Sequence, residues 1–433
     1  MNLRSPAFGM LFAVSLIAAG GNMALQSVLP NIGRTFRLSD TLVSGAFAIS
    51  ALMWTLASPF WARLSDRMGR KKVMMIGLTG FILSMTGFGL ATTSGLRGWL
   101  GFGLAFALMA VARTIYGVFG SAAPIASQAY VADRTTAGQR TQAMSMLASA
   151  QGLGTVIGPT LAPLFVLPLV GLAGPMYAFA LMGAVILFVV WRKLPSGDVV
   201  RTPSPSGRRD EAGKGLWKDP RVRDYLLYGL LLTGAQAINI SVLGFHVIDE
   251  MAATGTAQEA SHPFIALAMF AGAAATLLAQ WGLIPLLKLQ PRDLIRWGAG
   301  LALAGNVLSI AAPGYYGVVM GYAVVSMGLG FARPGFTAGS SLSVSASEQG
   351  AVAGLMMALA GLSFLFPPVI GVALYELSEP APFIANSLLL AAAMVLCFTS
   401  ARLRRGPPDL PDRDETPSLE TPPASQPGPE GNR

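Results

Sequence analysis

Chemistry in this chain has few places to reside, and the residues that could carry it are expensive where they stand. Arg113 interrupts the apolar stretch LGFGLAFALMAVARTIYGVFG, and a cation at the centre of a membrane span costs about 2.5 to 3.5 kcal/mol on insertion scales. Its five N–H donors must find helix carbonyls, a polar partner or a water-filled cavity. In a cavity, Arg113 would attract an anion or sense protonation. Arg333 is a second such residue, next to Pro334, where reaching the membrane interface would serve it equally well. Asp66 is the lone carboxylate in Trp61–Lys72, WARLSDRMGRKK, among Arg63, Arg67, Arg70, Lys71 and Lys72. Gly69 allows a tight turn there. Cys397 is the single cysteine, so no intramolecular disulfide forms. No Cys/His spacing suggests a metal, and His246 and His262 lie too near the expected outer surface to support a ligand role. No catalytic constellation is present, and the residues suit binding and gating better than bond-making.

The elements that hold these residues follow from composition. The 433 residues are 53% hydrophobic and 12% charged, with mean hydropathy +0.56. Soluble domains carry about 25% charged residues, so this chain cannot cover a water-facing surface and reads as a polytopic membrane protein. Its net charge of +9 does not imply nucleic acid, because the basic residues fall on alternate loops and not in one patch. A lipid bilayer and a small-molecule substrate are the expected partners, with no nucleic acid, no cofactor and a monomeric state.

Counting roughly 20 apolar residues per span predicts twelve spans, at about 7–30, 41–62, 73–94, 99–131, 140–167, 172–191, 224–248, 262–287, 295–312, 315–342, 350–375 and 381–401. The first apolar run is too long for a secretory signal core and is expected to stay as a span. Basic residues gather on even connections, including Arg134, Arg140, Lys288, Arg292 and Arg296. Odd connections hold Arg34, Arg37 and Arg97 with Asp249, Glu250, Glu259, Glu376 and Glu379. By the positive-inside rule both termini are cytoplasmic. The chain divides into a bundle at 1–191, a cytoplasmic linker at 192–223, a second bundle at 224–402 and a disordered tail at 403–433. The linker carries nine Lys/Arg with Pro203 and Pro205, a composition that cannot bury a core. Its GRRDEAGKG lacks the spacing, the magnesium-binding hydroxyl and the preceding strand of a phosphate loop.

A weak internal repeat supports two halves. Gly20-Gly21-Asn22 with Ser27-Val28-Leu29 recurs as Gly234-Ala235-Gln236 with Ser241-Val242-Leu243, an offset of 214. Ala112-Arg113 recurs as Ala332-Arg333 and Gly152-Leu153 as Gly361-Leu362. Two bundles related by an axis along the membrane normal place the substrate between them. Asn22 and Gln26 share one face of the first helix, Gln236 and Asn239 one face of the seventh. Tyr116 lies one turn from Arg113, where it could stack on a substrate ring. These residues, with Arg113 and Arg333, are the expected cavity lining.

The stretch Leu64-Ser65-Asp66-Arg67-Met68-Gly69-Arg70-Lys71-Lys72-Val73 resembles the signature loop of the major facilitator superfamily. Arg113-Thr114-Ile115-Tyr116-Gly117 and Gly152-Leu153-Gly154-Thr155-Val156-Ile157-Gly158-Pro159 resemble the fourth- and fifth-helix motifs of its proton-coupled exporters. Gly154 and Gly158 would let another helix approach closely, and Pro159 would bend their own. The resemblance covers about residues 7–402 and is nearest to twelve-helix drug:proton antiporters, the group that includes tetracycline exporters. It implies an inner-membrane efflux protein, not an enzyme, working by alternating access with the proton as coupling ion. It also implies a cytoplasmic latch: Asp66, Arg67, Gly69 and Arg70 against Asp133 and Arg140, with Asp66 facing the start of the eleventh helix near Ser347. The corresponding loop between the eighth and ninth spans lacks the pattern. No Asp or Glu lies inside a predicted span, and Asp40, Asp224, Asp249, Glu250 and Glu376 stand only near span ends. Proton coupling is therefore implied by resemblance and not by residues. An importer or facilitator on the same fold, or a receptor or scaffold without transport, is the alternative.

Overall fold

The computed structural model describes residues 5–135, 137–195, 215–345 and 348–405. Among them the chain is helical, without strands. α1 (Pro6–Thr35) starts where the Ser5 hydroxyl caps the Phe8 amide and Pro6 fills the first turn, a position where its missing N–H costs nothing. α2 (Asp40–Met68) is capped by Ser39 and ends at Gly69. The φ of 93° at Gly69 explains why the turn into α3 (Arg70–Leu96) takes a glycine. The expected fourth span is broken at Ser121 into α4 (Phe102–Gly120) and α5 (Ala122–Arg134). α6 (Ala137–Leu161) ends two residues after Pro159, and α7 (Gly174–Lys193) completes the first half.

α8 (Pro220–Ala253) is capped by Asp219 with Pro220 behind it. α9 (His262–Leu277) passes through a wider π turn at Leu278–Leu283 into the short α10 (Ile284–Leu287). α11 (Pro291–Ala311), α12 (Tyr315–Leu342), α13 (Gln349–Ser363), α14 (Pro367–Leu377), α15 (Ala381–Thr399) and α16 (Ala401–Arg405) follow. The eleventh expected span is thus two helices, interrupted before Pro367-Pro368, where two rings without N–H groups cannot continue a helix.

Eleven segments among the described residues are long and apolar enough to cross a membrane. α6 is 25 residues long but is not one of them, because Gln142, Gln151 and several hydroxyls dilute its apolar content. Large apolar side chains such as Leu83, Leu181 and Leu388 face outward, as a lipid solvent permits and water does not.

The two halves repeat one packing pattern. α1 packs on α6 and α7, α2 on α4, and α3 on α4 and α7. In the same order α8 packs on α14 and α15, α9 on α12, and α11 on α12 and α15. Across the halves, α2 meets α14 and α6 meets α9. One apolar core runs through Phe36, Val43 and Phe88 into Val242, Phe245 and Tyr375 and so joins the halves near one membrane face. Toward the other face the cores are separate: Trp61, Met74 and Tyr130 in the first half, Tyr228, Ile295 and Cys397 in the second. The joined end carries Asp40, Asp249 and Glu376 and is called the acidic face below. The divided end carries Arg70 and is called the basic face.

Gly154 and Gly158 lie against Leu16 and Gly20 of α1, so closely that a Cβ at Gly158 would overlap the Gly20 carbonyl. Gly152 has open space at the same place. Gly158→Ala is expected to lower stability by about 1 to 3 kcal/mol, the range for overpacking, while Gly152→Ala is neutral or slightly stabilising. Thermal unfolding in detergent, compared between the two variants, checks this.

Candidate functional site

At the basic face the signature loop closes on its own half. Arg70 pairs with Asp66 across the turn at Gly69, and its Nε donates to Asp133 at 2.8 Å while Nη1 donates to the Ser65 hydroxyl at 3.2 Å. The expected partnership of Arg70 with Asp133 is present. The expected approach of Asp66 to the eleventh helix belongs to a state shut at this face; here Asp66 pairs with Arg70, because the turn at Gly69 brings the start of α3 back beside the end of α2. Ser347 lies outside the described residues, as does the side chain of Arg140. Arg67 is exposed. In the second half Arg221 binds Asp219 and Glu348 at 2.8 Å each. The Arg221 guanidinium, with help from the hydroxyl and amide of Ser345, holds the Glu348 carboxyl down at about 2. A depressed carboxyl contributes stability above its ordinary pKa and loses it only as pH falls through the folded value. This pair therefore stays ionised at any pH near neutrality.

In the interior Arg113 is 2% exposed. Its Nη2 donates to Asn22 Oδ1 at 3.1 Å, and its guanidinium lies 4.4 Å from the Phe47 ring centre and 4.7 Å from that of Tyr116. Nε and Nη1 meet no acceptor. Buried cations normally have carboxylate partners; here two aromatic faces and one amide take that place. The structure brings Asn22, Arg113 and Tyr116 together with Phe47; of these only Phe47 borders the cavity between the halves, where the others had been expected. Phe47 escaped the sequence reading, since one phenylalanine on an apolar helix carries no distinguishing signal.

Phe47 also walls a cavity between the halves, with Gln26 and Pro30 on its side and Ser241, Phe245 and Met269 opposite. Asn239 is buried with its amide nitrogen unpartnered, and Gln236 is partly buried. Neither they nor Arg333, which is exposed, line this cavity. Gly154, Gly158 and Pro159 act at a distance, through the close contact of α6 with α1.

At the acidic face Arg34 of α1 donates to Asp40 of α2 at 2.8 Å and also pairs with Asp249 of α8, in the other half. The Tyr375 hydroxyl donates to Asp249 at 2.7 Å. The amide and hydroxyl of Thr41 donate to the two oxygens of Glu376 at 3.1 and 2.6 Å. Phe245 lies 5.6 Å below the Arg34 guanidinium. None of these contacts was expected. The signal available was the placement of Asp40, Asp249 and Glu376 at span ends, which says nothing about their meeting.

Comparison with known proteins agrees with this architecture. A family model described as Major Facilitator Superfamily matches residues 11–286. The chain is similar to multidrug resistance protein 2 of Bacillus subtilis (strain 168), 24% identical over 403 residues, covering 92% of this chain and 95% of that one. It is similar to the class B tetracycline resistance protein of Escherichia coli, 23% identical, covering 85% and 88%. The crystal structure of a D-xylose–proton symporter superposes with a TM-score of 0.64 at 16% identity, covering 92% and 95%.

The two faces should differ in energetic weight. Asp66 is 49% exposed, and ion pairs of that kind contribute about 0.2 to 1 kcal/mol. Asp40 is 11% exposed, so a double-mutant cycle on Arg34 and Asp40 is expected to give a larger coupling than one on Arg70 and Asp66. Unfolding of the single and double variants in detergent supplies both values.

Proposed function

This chain belongs to the major facilitator superfamily, and from that premise we propose that it is a secondary active transporter that exports a small amphipathic or aromatic compound across a bacterial inner membrane. It is an integral membrane protein, and the family is one of transporters and not of enzymes. The observation that carries the reading is the arrangement of the cavity. It lies between two sets of helices that share a core at the acidic face only, as expected of a carrier closed on one side. The repeated packing pattern supports two six-helix bundles, at 1–191 and 224–402, joined by the linker 192–223, with twelve spans once α6 is counted. The basic residues support placing the basic face and both termini in the cytoplasm, so the state described is open inward. The carrier works as a monomer without a cofactor.

Export, rather than import, is favoured by the multidrug and tetracycline resistance relatives. Phe47 and Tyr116 offer ring faces to an aromatic substrate, and the free donors of Arg113 suit an acceptor or anionic group on it. The proton is the proposed coupling ion by that same kinship. An importer of a small metabolite is the second reading, because the fold shared with the sugar–proton symporter carries traffic either way.

Purified protein in liposomes, with a pH gradient imposed, is expected to drive accumulation of a fluorescent aromatic anion or zwitterion on the side that receives exported substrate. Arg113→Ala and Phe47→Ala are each expected to lower the rate about tenfold or more, the equivalent of one lost interaction near 1.4 kcal/mol. Indifference of transport to the gradient would remove antiport. Accumulation inside expressing cells would establish import.

A further inference from the structure

His246 and Glu250 stand four residues apart near the end of α8, a spacing that puts both side chains on one face of the helix. Glu379, on the turn between α14 and α15, reaches the same place from a distant part of the chain. One potential ligand atom from each of the three lies within 4.8 Å of the other two, and Glu379 Oε1 is 3.2 Å from His246 Nδ1. The transport reading uses none of them. We propose that His246, Glu250 and Glu379 form a binding site for a divalent transition-metal ion of the zinc class at the acidic face.

The geometry and the charge both suit such an ion. A tetrahedral metal with bonds of about 2.0 to 2.2 Å holds its ligands about 3.4 Å apart, so Nδ1 and Oε1 already have that separation. Glu250 is partly buried and Glu379 is 57% exposed, and the swing of their side chains closes the remaining distance. Two carboxylates balance the charge of a divalent cation, and the neutral imidazole supplies a nitrogen. One nitrogen and two oxygens suit zinc, whereas magnesium and calcium prefer oxygen throughout. Tyr375 is not a ligand: its hydroxyl lies 3.4 Å from Nδ1 but donates to Asp249 at 2.7 Å. The exposed side of Glu379 gives the ion its way in.

Two observations separate this cluster from an ordinary group of surface acids. The His246 side chain is 6% exposed, and its Nε2 has no hydrogen-bond partner. Its ring packs against Phe383 and Tyr375, with centres 5.0 and 5.9 Å apart, which holds the Nδ1 edge toward the carboxylates. The second observation is the charge left over. Arg34 is taken by Asp40 and Asp249, while Glu379 meets only His246 and no arginine or lysine pairs with Glu250 among the described residues. The spacing of His246 and Glu250 is one that any helix offers, so it carried no signal until the packing of α14 and α15 on α8 brought Glu379 beside them. An ion held here joins the end of α8, which carries Asp249 to Arg34, to the turn after α14, which carries Glu376 to Thr41. Its part is structural: those two attachments then move as one piece.

The test uses the full chain, untagged, in lipid nanodiscs without substrate, so its failure would leave the transport reading standing. A Cys397→Ala background removes the single thiol. After treatment with a chelator, Zn²⁺ is expected to bind once per chain by calorimetry and to raise the unfolding temperature, as a ligand of the folded state does. Glu379→Gln and Glu250→Gln are each expected to weaken binding about tenfold or more, since even changes behind a metal ligand cost that much. Cu²⁺ in place of Zn²⁺, followed by electron spin echo, is expected to show an imidazole nitrogen that persists in His262→Gln and vanishes in His246→Gln. No saturable Zn²⁺ binding, or equal binding in Glu379→Gln, overturns the proposal and leaves a plain hydrogen bond between Nδ1 and Glu379. A nitrogen signal that vanishes with His262 instead marks an adventitious ion only and overturns it as well. Competition by equimolar Mg²⁺ overturns the assignment to the zinc class. If His246→Gln does not fold, the two glutamate variants still decide.

Discussion

Arg34 bonds a carboxylate in each half of the molecule and, with the hydrogen bonds from Thr41 to Glu376, ties the halves at the acidic face. It sits at the end of α1, above an apolar core that already joins the halves through Phe245 and Tyr375. The core supplies most of the burial, but apolar contact is non-directional and would allow the halves to slide. The planar fork of arginine, held between Asp40 and Asp249, fixes their register. No equivalent bond crosses the basic face among the described residues: Arg70 serves Asp66 and Asp133 of its own half, and Arg221 serves Asp219 and Glu348 of the other.

Inside the membrane the absence of carboxylates shapes the site. Arg113 is stabilised by Asn22 and by the rings of Phe47 and Tyr116, none of which neutralises its charge. A carboxylate at that depth would pair with it and occupy its donors permanently. Nε and Nη1 are left without acceptors, so the cation is buried incompletely satisfied.

How much of this was legible in the sequence depended on whether a feature was local. Eleven of the twelve expected spans follow from hydropathy among the described residues, and the expense of Arg113 marked it as a residue that faces a partner or a cavity. Gly69 and the pair Gly154 and Gly158 announced their roles, because only a glycine fits a φ of 93° or a contact with another helix's backbone. The breaks at Ser121 and before Pro367 were hidden, since an apolar run does not record where a helix is interrupted. Asp66 was expected at the start of the eleventh helix, where Ser347 lies outside the described residues, and here it pairs with Arg70 across the turn at Gly69. Asp40 and Asp249 were visible as acids at span ends, but 209 residues separate them, and only the packing of α1 and α2 against α8 and α14 brings them to one arginine.

The π turn at Leu278–Leu283 has a separate consequence. One residue too many per turn rotates the remainder of that span by about a quarter turn relative to a continuous helix. Trp281, Leu286 and Leu287 consequently all point to the periphery. Any pairing of this segment with a relative by the phase of its apolar residues will slip by one position beyond Leu277. A relative lacking that extra residue would present a face about a quarter turn away to lipid at the same depth.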